Sequence, residues 1–192
     1  MKERLKQVLS QRQKRCIVDA GRAASAVLIP ICYKEGEYHI LFTKRTETVQ
    51  YHKGQISFPG GAYEEEDGTL LNTALRECAE EIGLEAEAVE LLGELDDTVT
   101  VTSGFIISPF VAAIQGPCSL KVDPTETEEI IEVPISVLLD KDCLRQTTEV
   151  MNGQAITVDA YHYQGNVIWG ATAKILSQFL EILNQVMEDT GE

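Results

Sequence analysis

The chain has 192 residues, 44% of them hydrophobic and 24% charged, which fits one globular domain with its own core. Sixteen basic and thirty-one acidic residues give a formal net charge of −15, which repels nucleic acid and anionic membrane surfaces over long range. Five widely spaced cysteines without a C-x-x-C pair indicate neither a disulfide framework nor a zinc site, and no apolar signal region is present, so we expect a cytoplasmic protein without nucleic-acid or membrane partners.

The predicted elements begin with an N-terminal segment and continue as strands interleaved with two longer helices. Residues 1–23 carry Leu5, Val8 and Leu9 at helical spacing, which predicts an amphipathic helix or a basic arm ahead of a main domain at 24–190. Strands are predicted at 26–32, 38–43, within 54–61, and at 89–95, 105–114 and 130–133. Helices are predicted at 69–82 and 171–187. This order indicates an α/β (α+β) fold with a mixed sheet.

The first of the two longer helices carries three glutamates close together. At 100° per residue, Glu77, Glu80 and Glu81 fall within an arc of about 100°, away from the apolar face. Like charges at this spacing repel each other, and the C-terminal end of a helix, near which these glutamates lie, disfavours anions, so a cation should offset their cost. Clustered carboxylates suit Mg²⁺ or Mn²⁺. The alternative is a solvated acidic face on which Arg76 pairs with Glu80.

A Pro-Gly-Gly turn precedes this helix and contains Gly60 and Gly61. Because glycine lacks a side chain, the backbone at such a turn can come close to a metal ion or a phosphate group. A glycine turn next to a carboxylate-bearing helix therefore predicts a site for a phosphorylated ligand and its metal.

The segment 61–84, GAYEEEDGTLLNTALRECAEEIGL, resembles the Nudix box, the signature of pyrophosphate hydrolases. The motif positions in its second half are occupied by Arg76, Glu77, Glu80, Glu81, Gly83 and Leu84. In the first half, Asp67 stands at the position of the first glutamate of the motif when one counts from Gly61. Eight residues then separate Asp67 from Arg76, whereas the motif has seven. The sequence leaves open whether Asp67 takes the role of that glutamate. The resemblance implies a Nudix-type α/β/α sandwich with a mixed sheet.

Further segments resemble the coenzyme A pyrophosphatase subfamily of these enzymes. They are 41–61, which includes GQISFPGG, and 92–109, 126–134 and 168–173. The resemblance implies metal-dependent hydrolysis of the pyrophosphate bond of coenzyme A and its derivatives. The products would be adenosine 3′,5′-bisphosphate and 4′-phosphopantetheine or its acyl form. The sequence leaves open whether the chain forms a homodimer.

The resemblance also assigns roles to individual residues. The expected ligands of Mg²⁺ or Mn²⁺ are Glu77, Glu80 and Glu81. The expected catalytic residues are Glu77, Glu80, Arg76 and Glu126. The expected substrate-binding residues are Arg45, His52, Gly60 and Gly61. Arg76 is expected to orient the glutamates, and the general base is either a glutamate of the box or a late acid, for which Glu126 in the run 126–129 is the best match.

Two other functions are kept as alternatives. A Nudix hydrolase could act on ADP-ribose, NADH or a dinucleoside polyphosphate instead of coenzyme A. The chain could also be a catalytically silent module that binds a nucleotide. The complete set of box residues argues against the silent module, because a degenerate module need not retain its carboxylates.

Overall fold

The computed structural model describes residues 1–46, 54–116, 120–151 and 153–188. The helices are α1 (Lys2–Gln11), α2 (Leu70–Ile82), α3 (Ile135–Leu138) and α4 (Gly170–Glu188). The strands are β1 (Ala23–Lys34), β2 (Glu37–Arg45), β3 (Ile56–Ser57), β4 (Gly60–Ala62), β5 (Val89–Glu94), β6 (Thr98–Val99), β7 (Phe105–Ile114), β8 (Thr127–Pro134), β9 (Leu144–Met151), β10 (Gln154–Tyr163) and β11 (Asn166–Ile168). The predicted strands and both longer helices are thus found, with ends shifted by up to a few residues. The elements that were not predicted are β6, α3, β9, β10 and β11.

The main sheet is mixed, as the sequence predicts. Its strands follow the order β3-β2-β1-β7-β5, with β8 on β2, β4 on β1 and β6 on β7. β1 and β7 run parallel from Ala23 opposite Phe105, whereas the other pairings in this sheet are antiparallel. The antiparallel pairing of β4 with the first half of β1 sets the glycine turn against the centre of the sheet.

Side chains alternate between the two faces of each strand, and here both faces carry apolar side chains. Helices therefore cover both faces of this sheet. On one face, α1 and α4 enclose a large core that includes Leu5, Ile29, Phe42 and Phe179. On the other face, α2 packs over a smaller core to which it contributes Ala74, Cys78 and Ile82. The α/β/α sandwich is therefore confirmed. Among the helices that the structure describes, none is long and apolar enough to cross a membrane.

The N-terminal segment forms a helix that shares the larger core. Leu5 is completely buried, and Leu9 packs so closely on Gly93 that a Cβ on that glycine would lie 2.5 Å from the Leu9 Cβ. At the surface, the ammonium groups of Lys2 and Lys6 donate to the Glu90 carboxylate over 2.9 and 2.7 Å. Of the two forms expected for 1–23, the helix is the one observed. The domain boundary after residue 23 stays a prediction.

A second, three-stranded antiparallel sheet is built from β9, β10 and β11 in the order β11-β10-β9. Its base belongs to the larger core through Tyr161 and Ile168, which are 4% and 1% exposed. Farther from the base, one face of β9 and β10 is exposed, at Gln146, Thr148 and Asp159, whereas Ile156 and Val158 on the other face are half-buried. The hairpin of β9 and β10 therefore has one open face and one partly covered face.

Candidate active site

Helix α2 starts and stops at sequence signals that fix which way its glutamates face. The Thr69 hydroxyl accepts a hydrogen bond from the Asn72 N–H at 3.1 Å, which caps the first turn. Gly83 ends the helix in the left-handed region with a φ of 66°, where glycine is favoured. Between these ends, the apolar face packs on the sheet, with Cys78 fully buried. The same packing brings the acidic side of the helix alongside β4.

Two glycines allow β4 to lie directly against this acidic side. A Cβ on Gly61 would collide with the Glu77 carboxylate, and a Cβ on Gly60 would collide with the backbone carbonyl of Ala26. The Gly60 N–H also donates to Oε2 of Glu81 over 3.4 Å. Any other residue at either position would push the turn away from the helix. The predicted glycine turn and two of the predicted glutamates are thus in contact.

Glu81 is the most buried acid of the group, with 4% of its surface exposed. Its burial raises its pKa to about 8, although the positive charge of Arg45 acts in the opposite direction. That charge is distant for an ion pair, because Nη1 of Arg45 lies 3.7 Å from Oε1 of Glu81. Burial also raises the pKa of Glu77, against the effect of Arg76. Both carboxylates therefore have less positive charge around them than their ionised forms need.

Asp67 fixes Arg76 from the short 3₁₀ turn Glu65–Asp67 ahead of α2. Its two oxygens accept from Nε and Nη2 of Arg76 at 2.8 and 3.2 Å. The same carboxylate accepts from the Thr73 hydroxyl at 2.8 Å and from the Glu64 N–H at 3.0 Å. These donors, Arg76 first, hold the pKa of Asp67 well below its usual range. The residue whose role the sequence leaves open, Asp67, is therefore an acid that binds the arginine of the box.

Arg76 contacts two of the three box glutamates with a single nitrogen. Nη1 lies 2.9 Å from Oε1 of Glu77 and 3.1 Å from Oε2 of Glu80. The pairing with Glu80 is the one expected for a solvated acidic face, but only Glu80 is solvated, with 58% of its side chain exposed against 16% for Glu77. Arg76 thus contacts two of the box glutamates, and its role in orienting them stays a prediction.

Arg45 joins the box glutamates to the late acidic run. It lies at the end of β2, and its Nη2 is 3.7 Å from Oε2 of Glu126 while its Nη1 faces Glu81. Lys44 pairs instead with the other two acids of that run, Glu128 and Glu129, over 3.1 and 3.2 Å. Of the late acids, only Glu126 is brought to the site.

The structure therefore gathers most of the residues that the sequence singles out. Those brought together are Arg45, Gly60, Gly61, Arg76, Glu77, Glu80, Glu81 and Glu126. His52 lies outside the described residues, so its contact with substrate stays a prediction. Sequence reasoning missed Thr73 as an anchor of Asp67, since a threonine inside a helix carries no signal of its own.

The donor set of this site fits a divalent cation. Mg²⁺ and Mn²⁺ prefer carboxylate oxygens, and added positive charge stabilises the ionised forms of Glu77 and Glu81, whose pKa values are raised by burial. With the side chains as they lie, no three His, Cys, Asp or Glu residues in the described parts of the chain are arranged as a metal site. Nη1 of Arg76 instead contacts Glu77 and Glu80 and supplies positive charge to both.

Comparison with known proteins identifies the class of molecule. A model of the NUDIX domain matches residues 22–146. The uncharacterized Nudix hydrolase NudL of Photorhabdus laumondii is 35% identical over 157 residues, which are 82% of this chain and 83% of that protein. NudL of Enterobacter sp. (strain 638) is 33% identical over 172 residues, which are 90% of this chain and 88% of that protein. The chain therefore belongs to the Nudix hydrolase family, whose members cleave phosphoanhydride bonds and generally use divalent metal ions.

Solved structures agree with this assignment at the level of the fold. A MutT/nudix family protein from Enterococcus faecalis superposes with a TM-score of 0.59 and 16% identity, over 99% of this chain and 74% of that chain. The NUDIX domain of Shewanella oneidensis NrtR, solved with ADP ribose, has a TM-score of 0.51 and 18% identity, over 64% of this chain and 78% of that chain.

Proposed function

We propose that this Nudix hydrolase cleaves the pyrophosphate bond of coenzyme A and its derivatives, with Mg²⁺ or Mn²⁺ held by Glu77, Glu80 and Glu81. The observation that carries the hydrolytic part is the pair of the half-buried Glu77 and the buried Glu81 against the turn at Gly60 and Gly61. The choice of coenzyme A is supported by the resemblance of the segments around Arg45 and the glycine turn to the coenzyme A pyrophosphatase subfamily.

In this proposal Glu77 and Glu80 would hold the cation in place of their contact with Nη1 of Arg76. Asp67 retains Nε and Nη2 of Arg76, at 2.8 and 3.2 Å, so the guanidinium remains beside the site. A divalent ion supplies charge neutralisation for the pyrophosphate and a bound water of lowered pKa.

The substrate and the attacking water are assigned to the residues around Arg45. We propose that Arg45 contacts a phosphate group, because both of its 3.7 Å ion pairs exceed hydrogen-bond length and can yield to a closer anion. Glu126, on the far side of Arg45 from Glu81, is the proposed general base outside the box. The glycine turn would position the pyrophosphate through its backbone.

A substrate panel tests this function. Coenzyme A, ADP-ribose, NADH and diadenosine tetraphosphate are supplied at equal concentration with Mg²⁺ or Mn²⁺, and both products of each reaction are identified by mass spectrometry. We expect fastest turnover of coenzyme A, with adenosine 3′,5′-bisphosphate and 4′-phosphopantetheine as products. A clear preference for ADP-ribose would contradict the substrate, and absence of turnover on every compound with either metal would favour a silent nucleotide-binding module.

A further inference from the structure

The outer edge of β9 is long, exposed and without a partner strand in the parts of the chain that the structure describes. β9 pairs with β10 along its whole length without a register shift, and no other strand adjoins it there. Leu144 and Val150 are 42% and 70% exposed, although both are large and apolar. The strand sequence LRQTTEVM contains neither proline nor lysine, which proteins commonly use to block such edges. This edge is therefore open to pairing with another strand.

The order of residues along β9 is complementary to itself when the strand is read in the opposite direction. In an antiparallel pair with a twofold axis at Thr147, Leu144 falls opposite Val150, and Gln146 falls opposite Thr148. Position 145, an arginine, then falls opposite position 149, a glutamate. A twofold axis between 147 and 148 would instead place Arg145 opposite Val150. Of these two registers, the first is the one that matches apolar with apolar, polar with polar and positive with negative residues.

We propose that β9 pairs antiparallel with β9 of a second copy of this chain, about a twofold axis at Thr147. The two three-stranded sheets would then join into one sheet of six strands. Closed twofold dimers are the commonest assembly of soluble proteins, and pairing of edge strands is a known mode of association. Two monomers with a net charge of −15 each repel each other over long range, so local complementarity of this kind is what a dimer of this chain needs.

The neighbouring strand extends the complementarity into the sheet. Ala155 on β10 lies opposite Val150, and Tyr161 lies opposite Leu144. In the proposed dimer, each Val150 lies opposite Leu144 of the second copy. A row of four apolar residues, one from each of the two β9 and two β10 strands, would then cross the joined sheet, and the twofold axis would generate a second such row. The hairpin of β9 and β10 would also gain a neighbouring strand on its open edge, and an isolated two-stranded ribbon is only marginally stable in water.

Charge reversal at the two charged positions tests the register. Sedimentation velocity over a range of protein concentrations is measured for the natural chain, for Arg145→Glu, for Glu149→Arg and for the double variant. We expect a dimer for the natural chain, a dissociation constant raised about tenfold in each single variant, and recovery in the double variant. Circular dichroism confirms that each variant is folded. A monomeric natural chain overturns the proposal, as do single variants that dimerise normally or a double variant that does not recover.

A matched pair of lysine substitutions tests the apolar part of the edge. Val150→Lys places a charge within the proposed interface, whereas Val101→Lys changes an equally apolar residue, 84% exposed, away from β9. We expect the dimer to be lost in Val150→Lys and unchanged in Val101→Lys. Equal association of the two variants would overturn the assignment of the interface to β9.

Discussion

Two glutamates, one beside α1 and one on α2, have opposite electrostatic surroundings. Next to α1, Glu90 accepts short hydrogen bonds from Lys6 and Lys2, and these lower its pKa to about 2. On α2, Glu81 is buried with a guanidinium no closer than 3.7 Å, and its pKa is raised to about 8. The same residue type is thus compensated in one region and left short of positive charge in the other. The first arrangement anchors a helix, and the second is suited to receive a cation.

The surroundings of the two glutamates support this difference. The segment after α1 continues the pattern of complete ion pairs, with Arg12 on Asp96 at 2.8 Å and Lys14 on Asp97 at 3.1 Å. Each such pair near the surface contributes at most about 1 kcal/mol, so their effect is to position the chain more than to hold the fold. Around α2, Arg45 and Arg76 are instead shared among several acids. We expect changes in the two regions to have different consequences.

The largest difference is expected in catalysis. Glu81→Gln removes a proposed metal ligand while keeping the shape of the side chain, and we expect kcat for coenzyme A hydrolysis to fall about 10³-fold. Glu90→Gln changes the same residue type next to α1 and should leave kcat unaltered. Initial rates at saturating Mn²⁺ measure both variants. Equal rates for the natural chain and Glu81→Gln would remove Glu81 from the site.

A smaller catalytic effect is expected at Asp67, which acts through Arg76 and not on the substrate. Asp67→Asn weakens the hold on the guanidinium, and we expect kcat to fall about 10- to 100-fold with little change in KM. Asp67→Glu restores the charge and should recover most of the rate. The neighbouring Glu65→Gln, at an exposed position, is the matched control. A loss confined to KM would argue against a positioning role.

We also expect Glu81→Gln, which loses catalysis, to make the folded protein more stable. An acid whose pKa is raised by folding destabilises the folded state once the pH exceeds the pKa of the unfolded chain. In metal-free protein at pH 8, we therefore expect Glu81→Gln to raise the free energy of unfolding by about 1–3 kcal/mol. Denaturant unfolding in the presence of a chelator measures it. The gain should shrink toward pH 4, and a loss of stability at pH 8 would contradict the account of the buried charge.

The smallest expected effect is the pH dependence of the α1 anchor. The pKa of Glu90 is lowered from its ordinary value of 4.5 to about 2, so its ion pairs stabilise the fold above pH 4.5 and are lost as the pH falls toward 2. The Tm of the natural chain should therefore exceed that of Glu90→Gln at pH 7, and the gap should close in acid. A gap that is constant down to pH 2 would mean that the lysine pairs do not anchor the helix.

Most of the fold could be predicted because its elements bury one side or both. The largely apolar run of β7, which is buried on both faces, gives its bounds without error, and Gly83 ends α2 where the left-handed conformation requires glycine. The sheet of β9, β10 and β11 was missed although Ile156 and Val158 alternate with Thr157 and Asp159, which is the pattern of a half-buried strand. β9 carries a weaker signal, because polar residues occupy both of its faces from 146 to 148.

The site could be predicted in its residues more than in its contacts. The spacing of Glu77, Glu80 and Glu81 placed three acids on one side of a helix, and the glycine turn indicated a close approach. The pairing of Asp67 with Arg76 needed the structure, because a 3₁₀ turn of three residues decides which way that carboxylate faces. Likewise, only the pairing of β2 with β8 separates Glu126 from the acids that bind Lys44.

A titration of Mn²⁺ followed by electron paramagnetic resonance tests the central claim, that the acidic side of α2 is a metal site, most directly. The natural chain, Glu81→Gln and Glu90→Gln are compared without substrate, so the result does not depend on which pyrophosphate is cleaved. We predict that the natural chain and Glu90→Gln bind Mn²⁺ equally and that Glu81→Gln binds it at least about tenfold more weakly. Equal binding by Glu81→Gln and the natural chain would contradict the claim.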